Sequence, residues 1–179
     1  MAKIVCREPT HLGFCDASGI GTGGVWLDSS RSVPSIVWRH PWLPDTITAL
    51  LPEKNPRGTI INSGLELATI ILHKTTLLDV CPDTNVAAPR SGSDNTSTVS
   101  WSTREASTIS LVVVDLFCIS ELQSRQVSLN PSIFYHPGQE KCIADDASRI
   151  FEIFDTPFLA HMSATYLQPQ ICGNSAPRL

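Results

Sequence analysis

Residues 11–17, HLGFCDA, alternate apolar with small or polar side chains, the period-two pattern of a strand buried on one face. GTGGVWLD and SVPSIVWRH follow, and Val25, Trp26, Val33, Ile36, Val37 and Trp38 are strand formers separated by Ser-Ser-Arg-Ser. The pattern predicts three short strands joined by tight turns, an antiparallel meander with Trp26 and Trp38 in its core. The stretch 41–58 carries four prolines and reads as an irregular insertion. A helix is expected from Asn62 or Ser63, where Ser63 and Glu66 have capping-box spacing. Leu65, Leu67, Ile70, Ile71, Leu77 and Leu78 supply its apolar stripe. NVAAPRSGSDN predicts a short strand ending at Asp94, weakened by Pro89. STREASTISLVVVDLFCISELQSRQ reads as helix, PSIFYHPG as strand and turn, and KCIADDASRIFEIF as an amphipathic helix with Ile143, Ala147, Ile150 and Phe154 in register. The order strand, strand, strand, helix, strand, helices, strand, helix implies an α/β domain, a central sheet covered by helices. Its expected limits are 1–155, with 156–179 a flexible tail rich in Pro, Gly, Ser and Asn.

Composition narrows the function. With 179 residues, 42% of them apolar and 17% charged, the chain can build one packed core and is not broadly disordered. Its formal net charge is −4, so no basic excess is present to grip nucleic acid unaided. A nucleic-acid role therefore needs bound cations or an attached partner. Six cysteines lie scattered without a CxxC pair, which reads as buried, reduced thiols in an intracellular protein. The N-terminus lacks the apolar core of a secretion signal. The most apolar window, ISLVVVDLFCI, is broken by Asp115 and too short to span a bilayer. The expectation is a soluble protein of the cytoplasm or nucleus, neither secreted nor membrane-bound.

Gly19, Gly21 and Gly24 fit a GxGxxG spacing, the mark of a dinucleotide cradle. That cradle needs a helix straight after the glycines, so that its N-terminus meets the pyrophosphate. Here Val-Trp-Leu-Asp follows, which is a strand, and a nicotinamide-dependent oxidoreductase is disfavoured. The glycines are better read as a hairpin in which the chain takes positive φ. What needs explaining is Asp16, a carboxylate in the middle of a strand.

Glu66 in the first turns of a helix, Asp94 at a strand end and Asp145 at a helix start complete a set of four acids. Taken singly, acids at helix starts are dipole partners. Brought together, they would repel unless cations neutralise them, and hard oxygen ligands without a Cys or His cluster suit Mg²⁺ or Mn²⁺. Two such ions support in-line phosphodiester hydrolysis. Arg104 and Arg149 read as solvated helix ends, with phosphate contact the lesser alternative.

Together CDASGIGTGGVWLD, SGLELATIIL, GSDNTSTVSW and YHPGQEKCIADDASR resemble the ribonuclease H domain that follows the polymerase in reverse transcriptases of eukaryotic retrotransposons. The resemblance covers residues 11–151. It implies a ribonuclease H-like fold: a mixed five-stranded sheet, first three strands antiparallel, flanked by helices. It also implies a two-metal endonuclease (Mg²⁺ or Mn²⁺, two ions) cutting the RNA strand of RNA–DNA hybrids. By motif the metal ligands would be Asp16, Glu66, Asp94 and Asp145, with Asp146 second to Asp145, and Asn95 would help to hold the hybrid. The family's His, residue, Pro, Gly, two residues, Asn run is altered: Tyr135 stands at the His position, His136 one later, and Lys141 replaces Asn. His136 is the candidate proton shuttle. No polymerase motif precedes the domain, and the partner expected in the parent element is that polymerase portion. The competing reading is a catalytically inactive remnant that binds nucleic acid or protein as a connection domain.

Overall fold

The computed structural model describes residues 8–29, 35–50, 59–81, 88–104, 111–127, 131–138 and 141–167. Strands β1 (His11–Ala17), β2 (Gly21–Asp28) and β3 (Ile36–Pro41) form the expected antiparallel meander. Strands β4 (Arg90–Ser93) and β5 (Ser132–Tyr135) then add in parallel to β1, giving a five-stranded sheet in the order β3-β2-β1-β4-β5. Parallel neighbours need long crossovers, and the helices supply them: α2 (Asn62–Val80) precedes β4, while α3 (Thr96–Arg104) and α4 (Leu111–Val127) lie between β4 and β5. Helix α5 (Cys142–Arg149) follows β5.

Successive side chains of a strand point to opposite faces, and β2 shows what covers each. A Cβ on Gly23 would lie 2.5 Å from the Ala147 carbonyl carbon in α5, whereas one on Gly24 would meet the His73 ring of α2. Helix α5 therefore covers one face and α2 the other. On the α2 face, Trp26 is buried and stacks on His73 with ring centroids 3.9 Å apart. The indole N–H of Trp26 donates to the His73 carbonyl (2.8 Å), and that of Trp38 to His73 Nδ1 (2.8 Å). Burial holds the His73 imidazole well below its ordinary pKa, so it stays neutral. Farther along α2, Leu67 and Ile71 join Trp101 of α3 and Val113 of α4 in one apolar cluster.

Several expectations are corrected. The β1–β2 turn uses no positive-φ glycine. It is held by Ser18, whose backbone N–H donates to the Gly21 carbonyl (2.8 Å) and whose hydroxyl accepts from the Ile20 and Gly21 amides. The 41–58 stretch is not wholly irregular: Pro44–Ala49 is a short helix, α1, with Pro at its start and Asp45 in its first turn, as helix starts favour. Residues 51–58 lie outside the described residues. The Ser63–Glu66 capping box does not form, since Ile61 caps α2 without a side-chain bond. The helical stretch expected over 102–126 is α3, which starts earlier at Thr96, and α4, with 105–110 outside the described residues. Helix α5 ends at Arg149, so Ile150 and Phe154 do not extend it. A separate unit, 150–179, holds α6 (Asp155–Met162) and a π-helical turn over Ser163–Leu167 in its described part; 168–179, the latter half of the expected tail, lie outside the described residues. Of the four described cysteines only Cys15 is buried, and none is in a disulfide; Cys6 and Cys172 lie outside the described residues. Among the described residues, no helix is long and apolar enough to cross a membrane.

Candidate metal centre

Because β1 and β4 run parallel and adjacent, their C-terminal ends lie together at one edge of the sheet. In open α/β sheets this is where ligands bind. Asp16 is the penultimate residue of β1 and Asp94 follows β4 directly. Glu66, one turn into α2, reaches the same point, where the Ala17 backbone N–H donates to its carboxylate. One ligand oxygen from each of Asp16, Glu66 and Asp94 lies within 4.8 Å of the other two. Three acids separated by up to 78 positions in the chain have become neighbours.

Their neighbours differ. Asp16 is buried with both oxygens bonded: Oδ2 accepts from the Ser148 hydroxyl (2.8 Å), and Oδ1 from the Lys141 ammonium (3.2 Å). Asp94 is the accessible member, its side chain 35% exposed, and takes a stronger bond from Lys141 (2.8 Å). Glu66 is 3% exposed, and its Oε2 has no hydrogen-bond partner among the described residues. Burial, the largest influence, pushes the Glu66 carboxyl up to about 8 against the counteracting charge of Lys141, with Asp16 and Asp94 adding to the rise. At neutral pH without metal, Glu66 is therefore mostly protonated.

That ammonium is the feature the sequence did not reveal. Lys141 is 2% exposed, and its three N–H groups go to the Cys15 carbonyl (3.1 Å), Asp16 and Asp94. Burial alone would lower its pKa, but the Asp94 hydrogen bond and the charges of Asp16, Glu66 and Asp94 outweigh it and raise the value. Backbone bonds on either side fix its place: the Lys141 amide donates to the Gly138 carbonyl, and the Lys141 carbonyl accepts from the Asp145 amide in the first turn of α5. Gly138 lies against the Asp94 carboxylate, where any Cβ would collide. The signal available in sequence was a lysine in place of a neutral asparagine within a run of acids. Ser148 was also missed; it joins Asp16 to α5, and its carbonyl accepts from the Ser18 hydroxyl (2.6 Å).

The remaining candidates lie outside the three-carboxylate cluster. Asp145 sits in the first turn of α5, half exposed, paired with Arg149 four residues on (2.7 Å). Asp146 neighbours it on the same helix. Asn95 caps α3, its Oδ1 accepting from the Thr98 amide (3.0 Å), while its Nδ2 donates to Ser63 Oγ in α2 (3.2 Å). His136 packs its ring on Phe14 with centroids 4.7 Å apart, and its amide donates to the Ser93 carbonyl.

Comparison with solved structures identifies the fold. RNase H1 from the halophilic archaeon Halobacterium salinarum superposes with a TM-score of 0.54 over 76% of this chain and 92% of its own, at 12% identity. LC11-RNase H1 in complex with an RNA/DNA hybrid gives 0.56 over the same shares, also at 12% identity. The N-terminal RNase H domain of rv2228c from Mycobacterium tuberculosis gives 0.52 over 88% of this chain and 99% of its own, at 11% identity. The fold is ribonuclease H-like. No protein-family model matches the sequence, and no curated protein does. The likeness is thus carried by the ribonuclease H-like sheet order and helices at very low identity. The donor set itself, three hard carboxylates with one buried oxygen unpartnered, has the chemistry that Mg²⁺ or Mn²⁺ prefers.

Proposed function

We propose that this chain is a ribonuclease H that hydrolyses the RNA strand of RNA–DNA hybrids using divalent ions. The observation that carries the reading is the convergence of Asp16, Glu66 and Asp94 with Glu66 Oε2 buried and unpartnered. Asp16, Glu66 and Asp94 would hold Mg²⁺ or Mn²⁺, and Asp145, at the start of α5, is the ligand to be recruited for the second ion. Bound there, the ions would activate a water and stabilise the leaving 3′-oxygen. The protein's part is positional. Asp94, the exposed acid, faces the substrate side; buried Asp16 and Glu66 fix the floor. Asn95, by capping α3 against α2, orients the segment that carries Asp94, and adds contact to the hybrid. His136 stands in the loop after β5 as a candidate to carry a proton to or from the departing oxygen.

Strand choice would rest on the 2′-hydroxyl and the shape of the hybrid. With a net charge of −4, grip on the hybrid falls largely to the ions and to a polymerase portion of a parent retrotransposon reverse transcriptase. Such a protein acts inside the cell, in cytoplasm or nucleus.

One observation favours the second reading, an inactive domain that binds without cutting: the Lys141 ammonium already bridges Asp16 and Asp94. A labelled hybrid separates the two. Cleavage of the RNA strand in Mg²⁺ or Mn²⁺, lost by at least about a hundredfold in Asp94→Asn, establishes the enzyme. Equal inactivity of wild type and Asp94→Asn, with hybrid binding retained, establishes the binding domain.

A further inference from the structure

We infer that Lys141 is a tethered cation that competes with divalent metal for the carboxylate centre, so that metal entry requires its side chain to leave. The inference rests on the metal-binding reading above and concerns what governs access to that site. An ammonium hydrogen-bonded to Asp16 Oδ1 and Asp94 Oδ1 occupies the lone pairs that an ion joining those two carboxylates would use. Mg²⁺ takes oxygen ligands at about 2.0–2.1 Å, closer than the 2.8 and 3.2 Å of the ammonium, and two cations cannot share that space. The lysine is also a complete replacement: all three of its protons are accepted, and its stem is buried. What it leaves unserved is Glu66 Oε2, the one buried side-chain oxygen of the cluster without a donor. An ion entering would satisfy that oxygen, while the Lys141 ammonium withdraws.

The geometry also explains how the metal-free centre stays folded. Without a cation, buried Asp16 would face Asp94 across a few ångströms of low-dielectric interior. Lys141 supplies the missing charge from within the chain. The wild-type centre is thus stable without metal and weak towards it, whereas an asparagine at this position would leave the pocket free for an ion.

Two measurements test this on the whole chain. Calorimetric titration with Mn²⁺ compares wild type with Lys141→Asn and Lys141→Gln, each checked for native circular dichroism. If Lys141 fills the site nine-tenths of the time, the variants bind about tenfold more tightly than wild type. Equal or weaker binding by a folded variant, with wild type binding well, overturns the inference and leaves the metal reading standing. No binding by any of the three overturns both. The second measurement needs no variant. Reductive methylation followed by peptide mapping reads the exposure of the Lys141 amine, which should rise several-fold on Mn²⁺ saturation relative to EDTA. An amine equally protected in both conditions sinks the inference even if the variants do not fold.

Discussion

Glu66 shows what a single side chain contributes. Its carboxyl rises from an ordinary 4.5 to about 8 in the folded protein, so between those values the folded state binds a proton that the unfolded state has released. Stability contributed by this group is present in full below pH 4.5 and is lost as pH rises through 8. The loss is on the order of a few kcal/mol. Glu66→Gln keeps the shape, removes the proton exchange, and should abolish the fall in metal-free stability between about pH 6.5 and 8; chemical denaturation at closely spaced pH values measures it. A Gln variant with the wild-type slope would mean that another group carries the effect. In the sequence, Glu66 was legible both as half of a capping box and as one of the converging acids; the box does not form, and the carboxylate joins Asp16 and Asp94. Asp16 was legible because a strand-centre acid is out of place, and Asp94 because a strand ends beside it. Lys141 was not, because a lysine in a loop is ordinarily solvated and only the folded chain shows which acids surround it.

Helix α5 is the element on which the centre depends. It brings Ser148 to Asp16 and follows Lys141 directly, and it can do so only because β2 presents Gly23 where it crosses. Gly23→Val would drive the helix off the sheet. The expected cost is about 1–3 kcal/mol from overpacking, read as a lower melting temperature, together with a changed Mn²⁺ affinity, because Ser148 and Lys141, the two side chains that hold Asp16, shift with the helix. A variant that keeps both values would show that α5 does not set the site. The meander and α2 were readable from alternation and the 3.6-residue stripe, since burial dictates both. The short α1 was hidden by its prolines, although Pro44 and Asp45 are good helix openers. The early end of α5 was hidden too, because Ile150 and Phe154 continue the apolar register past Arg149. Periodicity reports which side chains want burial, not where the backbone stops winding.

Across the whole chain, two buried titratable groups oppose each other. His73, neutral in the core, has its pKa lowered by burial; its contribution is full above about 6.5 and declines as pH falls below it. Glu66 acts in the other direction above 4.5. From these two groups, metal-free stability should be level between about 4.5 and 6.5, where their slopes cancel, and fall on either side. Saturating Mn²⁺ should lift the alkaline limb, because bound metal favours the deprotonated carboxylate. Melting temperatures across pH 4–9, with and without Mn²⁺, test the shape; an alkaline limb unmoved by Mn²⁺ would separate Glu66 from the metal site.

The contact of Trp26 and Trp38 with one imidazole has an optical corollary. A charged imidazolium quenches indole emission, but the ring between these two stays uncharged while α2 covers the sheet. Acidification should therefore leave the fluorescence constant until the helix lifts away, and then change it in step with loss of far-ultraviolet ellipticity. Emission that drifts below pH 6.5 while ellipticity holds would show solvent protons reaching the ring in the native state. The pair is a built-in optical gauge of whether the layer carrying Glu66 is seated.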